Sequence, residues 1–155
     1  MRALNGNLKF LCLYLWCLSV GCASWSSNIR RSLTTIGQAE TQAIKAFQAY
    51  EQEKQEEFRN KASNAQSMDE LERVDTEFSS WRKQRDEVAA AFNVLLSSIK
   101  TAEATLPLVE QGLKKPADVD SWIQHSLKAL ETIRELLSHL GIVVSRLDTT
   151  KDVRL

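Results

Sequence analysis

The chain has 155 residues with 20 basic and 20 acidic side chains, so its formal net charge is zero at pH 7. This length accommodates one ordinary hydrophobic core, and the balanced charge gives no general attraction for nucleic acid. The five glycines and two prolines are too few for an all-β chain rich in turns. Composition therefore favours a helical domain and argues against a nucleic-acid partner.

The amino-terminal segment has the three-part layout of a secretory signal peptide. Residues 1–9 are basic and contain no acid, residues 10–20 are apolar apart from Ser19, and small residues follow. The apolar run is shorter than the ~20 residues that a membrane-spanning helix needs. We therefore expect residues 1–21 to be a signal peptide that is cleaved; the alternative is a buried core helix.

Gly21 and Cys22 resemble the end of the lipobox of bacterial and phage lipoproteins, in which a small residue precedes an acylated cysteine. The match is partial, because Ser19 stands where those proteins usually carry leucine. The resemblance implies a covalent lipid, such as palmitate, on Cys22 and a short tether over residues 22–27. In the enterobacterial pattern, an aspartate directly after the cysteine is associated with retention in the inner membrane, and this chain has Ala23 there. The resemblance therefore favours the outer membrane, with the protein facing the periplasm.

Ordinary cleavage after Ala23 is the alternative, and it would release a soluble secreted helical binding protein. With either cut, no cysteine follows Cys22, so the chain from Ser24 onward has no disulfide and no cysteine-based metal or redox site. If Cys22 carries lipid, three nearby residues are expected near the bilayer. These are Trp25, which suits the interface, and Arg30 and Arg31, which suit anionic headgroups.

Three helical patterns occupy the rest of the chain. Apolar residues recur every three or four positions, which predicts helices over residues 28–64, 68–113 and 118–147. The second pattern is the most regular, because two apolar series with a spacing of seven run through it and only Arg85 interrupts them. That repeat is typical of coiled-coil packing. Folding the first two helices back on each other predicts that Arg85 lies near Phe47 and Glu51.

Local signals mark the ends of these helices. Ser67 and Glu70 are spaced as a capping box, in which each side chain bonds to a backbone N–H at the start of the helix. Pro107 lacks a backbone donor, which predicts a kink or a break in the second helix. Gly112 indicates the end of that helix.

The fold class predicted from these patterns is all-α: an elongated antiparallel three-helix bundle over residues 28–147, followed by a tail at 148–155. Because the third helix is shorter, the far end of the first two helices is expected to be uncovered. Exposed apolar clusters often mark interaction surfaces, so this tip is predicted to bind a protein partner or a second copy. The alternative is that its aromatic rings lie flat between the two helices. The residues concerned are Phe58, Leu71, Val74, Phe78 and Trp81.

Catalytic and metal-binding patterns are weak. His125 and His139 are two heptads, or about 21 Å, apart on one predicted helix, so they cannot share a metal ion there. Glu135 and His139 form at most half of a metal site, and a solvent-exposed ion pair is the simpler interpretation. We therefore expect no enzyme, no metal and no cofactor besides the lipid. The predicted function is that of a membrane-anchored structural or adaptor lipoprotein of a bacterium or bacteriophage.

Overall fold

The structure, a computed structural model, describes the backbone of residues 4–144 and the side chains of residues 24–144. The chain forms three α-helices: α1 (Leu4–Asn64), α2 (Met68–Glu110) and α3 (Pro116–His139). These helices pack on one another, most extensively α2 on α3, and residues 4–144 contain no strand. The predicted all-α helical bundle is confirmed.

The first turn agrees with the sequence prediction. α1 ends at Asn64 as predicted, and the Ser67 hydroxyl accepts a 3.3 Å hydrogen bond from the backbone N–H of Glu70. The Glu70 carboxylate accepts a 2.7 Å bond from the N–H of Gln66, one residue before the cap. The first bond pairs a backbone donor that the first turn of α2 would otherwise leave unsatisfied, and the second ties the preceding turn to the helix, which favours a start at Met68.

The amino-terminal boundary differs from the predicted start at residue 28. α1 is one continuous helix from Leu4, so residues 22–27, predicted to be a tether, have helical backbone. The side chains of residues 1–23, including Cys22, lie outside the described side chains, and the predicted tail at 148–155 lies outside the described residues.

Glycine turns end the other two helices earlier than predicted. α2 ends at Glu110 instead of residue 113, and α3 ends at His139 instead of residue 147. Gly112 (φ 72°) and Gly141 (φ 77°) adopt the left-handed conformation that terminates a helix. The N–H of the residue after each glycine then bonds back to the last turn, at 2.8 and 2.9 Å. α2 continues through Pro107, because the missing N–H removes only one backbone bond near the helix end.

The main core is a continuous cluster of apolar side chains from all three helices. Each fully buried aliphatic side chain in it contributes about 1.5–3 kcal/mol relative to exposure. On α1 it extends from Ile29 to Phe47, on α2 from Val88 to Leu106, and on α3 from Val119 to Leu137. The helices therefore extend beyond it at one end, and we call residues 48–87, the α1–α2 hairpin beyond the main core, the tip.

Candidate functional site

Three aromatic rings hold the tip together: Phe58 on α1 with Phe78 and Trp81 on α2. The centroids of Phe58 and Phe78 are 5.2 Å apart in an edge-to-face arrangement, and those of Phe78 and Trp81 are 5.4 Å apart and stacked. Phe58 and Trp81 also touch, at 5.7 Å. Each such pair contributes about 0.5–1.5 kcal/mol beyond its buried area. This aromatic cluster is separate from the main core.

A groove of about 590 Å³ runs beside the aromatic cluster, and we call it the tip groove. All of its lining residues come from α1 and α2, so α3 does not contribute to it. Leu71, on its wall, is 40% exposed, which is unusual for a leucine in one of the apolar series of the second helix. The lining residues are Gln55, Phe58, Arg59, Ala62, Leu71, Val74, Asp75, Phe78, Trp81 and Arg85.

The five residues predicted at the tip do come together, but two of them are buried. Trp81 is only 5% exposed and Phe58 only 9%. These two rings are covered because they pack against each other and against Phe78 between α1 and α2. Leu71, Val74 and Phe78 remain partly or fully exposed. The apolar surface of the tip is therefore smaller than the sequence predicts and lies along the groove.

The indole N–H of Trp81 is buried and has no hydrogen-bond acceptor among the described residues. Burying an unpaired donor costs about 1–3 kcal/mol. The Arg85 guanidinium lies over the same ring, 5.8 Å from its centroid. Trp81 joins the tip to the rest of the hairpin. The free energy gained from packing its ring must therefore exceed the cost of burying its unpaired N–H.

Arg85 contacts the acid predicted for it. Its Nε lies 3.9 Å from Oε1 of Glu51 across the hairpin, and its Nη2 lies 2.7 Å from Oδ1 of Asp86 on the same helix. The ring over which the Arg85 cation lies is that of Trp81. The reason is helix geometry, since Trp81 is four residues away on the same face of α2.

Lys61 joins the two helices of the tip at the surface. Its Nζ lies 2.9 Å from Oε1 of Glu57 and 2.9 Å from Oε2 of Glu77. The hydrogen bond that Lys61 donates to Glu77, and then the one it donates to Glu57, raise the pKa of the Lys61 ammonium. Hydrogen bonds from Lys54 and Lys61 lower the pKa of the Glu57 carboxyl. These groups are solvent-exposed, so they fix the hairpin register more than they stabilise it.

The base of the bundle, at the opposite end from the tip, carries the residues predicted to lie near a bilayer. Arg30 donates two hydrogen bonds from Nη2 to the Glu110 carboxylate, at 2.8 and 3.1 Å, and Ser26 donates a third. The bond from Ser26, and then those from Arg30, lower the pKa of Glu110. Trp25 is partly buried against the main core, whereas Arg31 is exposed. Arg30 thus joins α1 to the end of α2.

A second groove, of about 700 Å³, lies between α1 and α2 beside the main core. Glu40 is one of the residues that line it. Burial raises the pKa of Glu40, Lys100 opposes the shift and Glu103 adds to it. Within the described part of the chain, no group of three or more histidine, cysteine or acidic side chains is arranged to hold a metal ion.

A third groove, of about 610 Å³, lies between α2 and α3, and sequence reasoning missed it. The rings of Trp122 and His125 lie 5.4 Å apart beside it, and Val94 on its wall is 56% exposed. The available signal was that Val94 and Trp122 are apolar but do not belong to the recurring apolar positions of their helices. His139, which ends α3, does not line this groove.

Among the described residues, no helix is both long and apolar enough to cross a lipid bilayer. The chain matches no protein-family model, no curated protein sequence and no solved structure.

Proposed function

We propose that this chain is a lipid-anchored structural or adaptor protein of a bacterial envelope, encoded by a bacterium or a phage, that holds an interaction site away from the membrane. The observation that carries the proposal is the arrangement of α1. This single helix joins the segment that resembles a lipoprotein signal to a separately packed tip with an apolar groove. A protein that only had to bury its main core would need no such extension.

Helix geometry sets the reach of the proposed site. Cys22 and Phe58 are separated by 36 positions of α1, which corresponds to about 54 Å at 1.5 Å per residue. The Arg30–Glu110 pair and the main core hold the membrane-proximal part of α1 against the other helices. The tip groove would therefore stand clear of lipid headgroups, where another protein could reach it.

The lipid is tested by metabolic labelling with a fatty-acid probe. The full chain should be labelled and recovered with membranes, and Cys22→Ser should abolish both. Cys17→Ser is the matched control, because this cysteine lies within the proposed signal peptide and its loss should not change the label. Equal labelling of the Cys22→Ser chain, or a mature chain beginning at Ser24, would favour the alternative, a soluble secreted helical binding protein.

The tip is tested with two leucines of nearly equal exposure on α2. Leu71 lines the tip groove and is 40% exposed, whereas Leu96 lines the second groove and is 38% exposed. Leu71→Glu should reduce chemical cross-linking of the membrane-bound chain to other chains, and Leu96→Glu should not. Equal cross-linking of both variants and the parent chain would remove the tip from the proposal.

A further inference from the structure

We propose that the occupant of the tip groove is the tip groove of a second copy of this chain, with Arg59 of each copy paired to Asp75 of the other. The inference rests on the proposed function, because two tips that project from one membrane meet side by side. The inference adds to that function the identity of the partner and the contacts by which the partner is recognised.

The charges on the groove walls are the first observation. Three charged residues line the groove: Arg59 from α1, and Asp75 and Arg85 from α2. Arg85 is paired with Glu51 and Asp86. Within residues 24–144, the side chains of Arg59 and Asp75 form no hydrogen bond or ion pair, and both are exposed. The groove therefore presents one unpaired cation on the α1 wall and one unpaired anion on the α2 wall.

Such a surface is complementary to itself under two-fold symmetry. A two-fold axis parallel to the helices brings α1 of one copy opposite α2 of the other at the same height. An axis perpendicular to the helices brings α1 opposite α1, which separates Arg59 from the Asp75 of the second copy. The unpaired charges thus select the parallel arrangement, in which both tips point the same way, as tethering to one membrane requires.

The register of the hairpin supports the pairing. Phe58 meets Phe78, and Lys61 bonds to Glu77 across the hairpin. Arg59 therefore lies near the level of Glu77, two residues from Asp75, which is about 3 Å along the helix. An arginine side chain spans that offset. The exposed apolar side chains between the charges, Leu71 above all, would then be covered by their symmetry mates to give a four-helix tip.

The test uses the full chain in its membrane and one introduced thiol. No cysteine follows Cys22, so Leu71→Cys adds a single reporter beside the proposed axis, and mild oxidation should give a disulfide-linked homodimer. Gln124→Cys, exposed on α3, is the matched control and should give little dimer, as should the chain without an added thiol.

Charge exchange in the Leu71→Cys background then tests the contacts. Arg59→Glu or Asp75→Arg alone should lower the dimer fraction about tenfold, since each change alters both symmetry-related pairs. The double variant Arg59→Glu/Asp75→Arg should restore it. Circular dichroism and melting of each purified chain verify that the exposed substitutions leave the fold intact.

Three outcomes would overturn the two-fold tip: no homodimer from Leu71→Cys, no loss with the single charge changes, or no recovery with the double variant. A disulfide from Leu71→Cys to a different protein would also overturn it while leaving the proposed adaptor function intact. A different pair of results would contradict the proposed function: the parent chain carries no fatty-acid label, and Leu71→Glu leaves cross-linking unchanged.

Discussion

Replacing Trp81 by alanine should loosen the tip without unfolding the main core. Trp81 is 95% buried, given its 5% exposure, and it touches Phe58, Phe78 and Arg85. None of these four residues belongs to the main core. The lost packing therefore falls on residues 48–87, where no third helix compensates for it.

The expected change in the free energy of opening the tip is the difference between two contributions. Truncating a buried aromatic side chain to alanine costs about 3–5 kcal/mol. The substitution also removes an indole N–H that has no acceptor, which returns about 1–3 kcal/mol. Matched low, middle and high values of these two contributions give a net loss for opening the tip of about 2 kcal/mol, and since every 1.4 kcal/mol is tenfold, exchange through that opening should accelerate by about 30-fold.

Native-state hydrogen exchange read by mass spectrometry separates the tip from the main core. In Trp81→Ala, peptides from residues 48–87 should exchange faster, while peptides from α3 should be unchanged. Leu95→Ala is the control, because Leu95 is fully buried in the main core and its truncation should accelerate exchange in α3. Equal acceleration in the tip and α3 of Trp81→Ala would refute the separation of the two clusters, and no acceleration anywhere would refute the role of Trp81.

Two glycines and one glutamate give further predictions. Gly37→Ala should raise the free energy of unfolding by about 0.5–1 kcal/mol, because Gly37 lies inside α1 with open space at its Cβ position. Gly112→Ala should lower it by about 1–2 kcal/mol, since Gly112 has a φ of 72°; urea titrations measure both, and changes of the same sign would contradict the helix-end assignment. Burial raises the pKa of Glu40, so the folded chain binds this proton more tightly than the unfolded chain and loses that stability as pH rises. Glu40→Gln should therefore raise the melting temperature more at pH 7 than at pH 4, and an equal shift at both would exclude this explanation.

The sequence alone determined the three helices and the turn between the first two, from residue 64 to residue 68. The apolar series with a spacing of seven, the Ser67 cap and Gly112 are local features, because backbone propensity and hydrogen bonding act within a few residues. They predicted three helices, the first turn and the contact between Arg85 and Glu51. The end of α3 was missed, although Gly141 is an equally local signal, because the apolar pattern continues past it.

Only the tertiary structure decided which side chains are covered. Burial of Trp81 depends on how three rings from two helices fit together, and the pairing of Arg30 with Glu110 depends on which charges the bundle brings within reach. Both depend on contacts between residues distant in sequence, and periodicity specifies the face on which a residue lies but not what covers that face. For the same reason, the unpaired Arg59 and Asp75 on opposite walls of the tip groove became recognisable only once α1 and α2 were placed together.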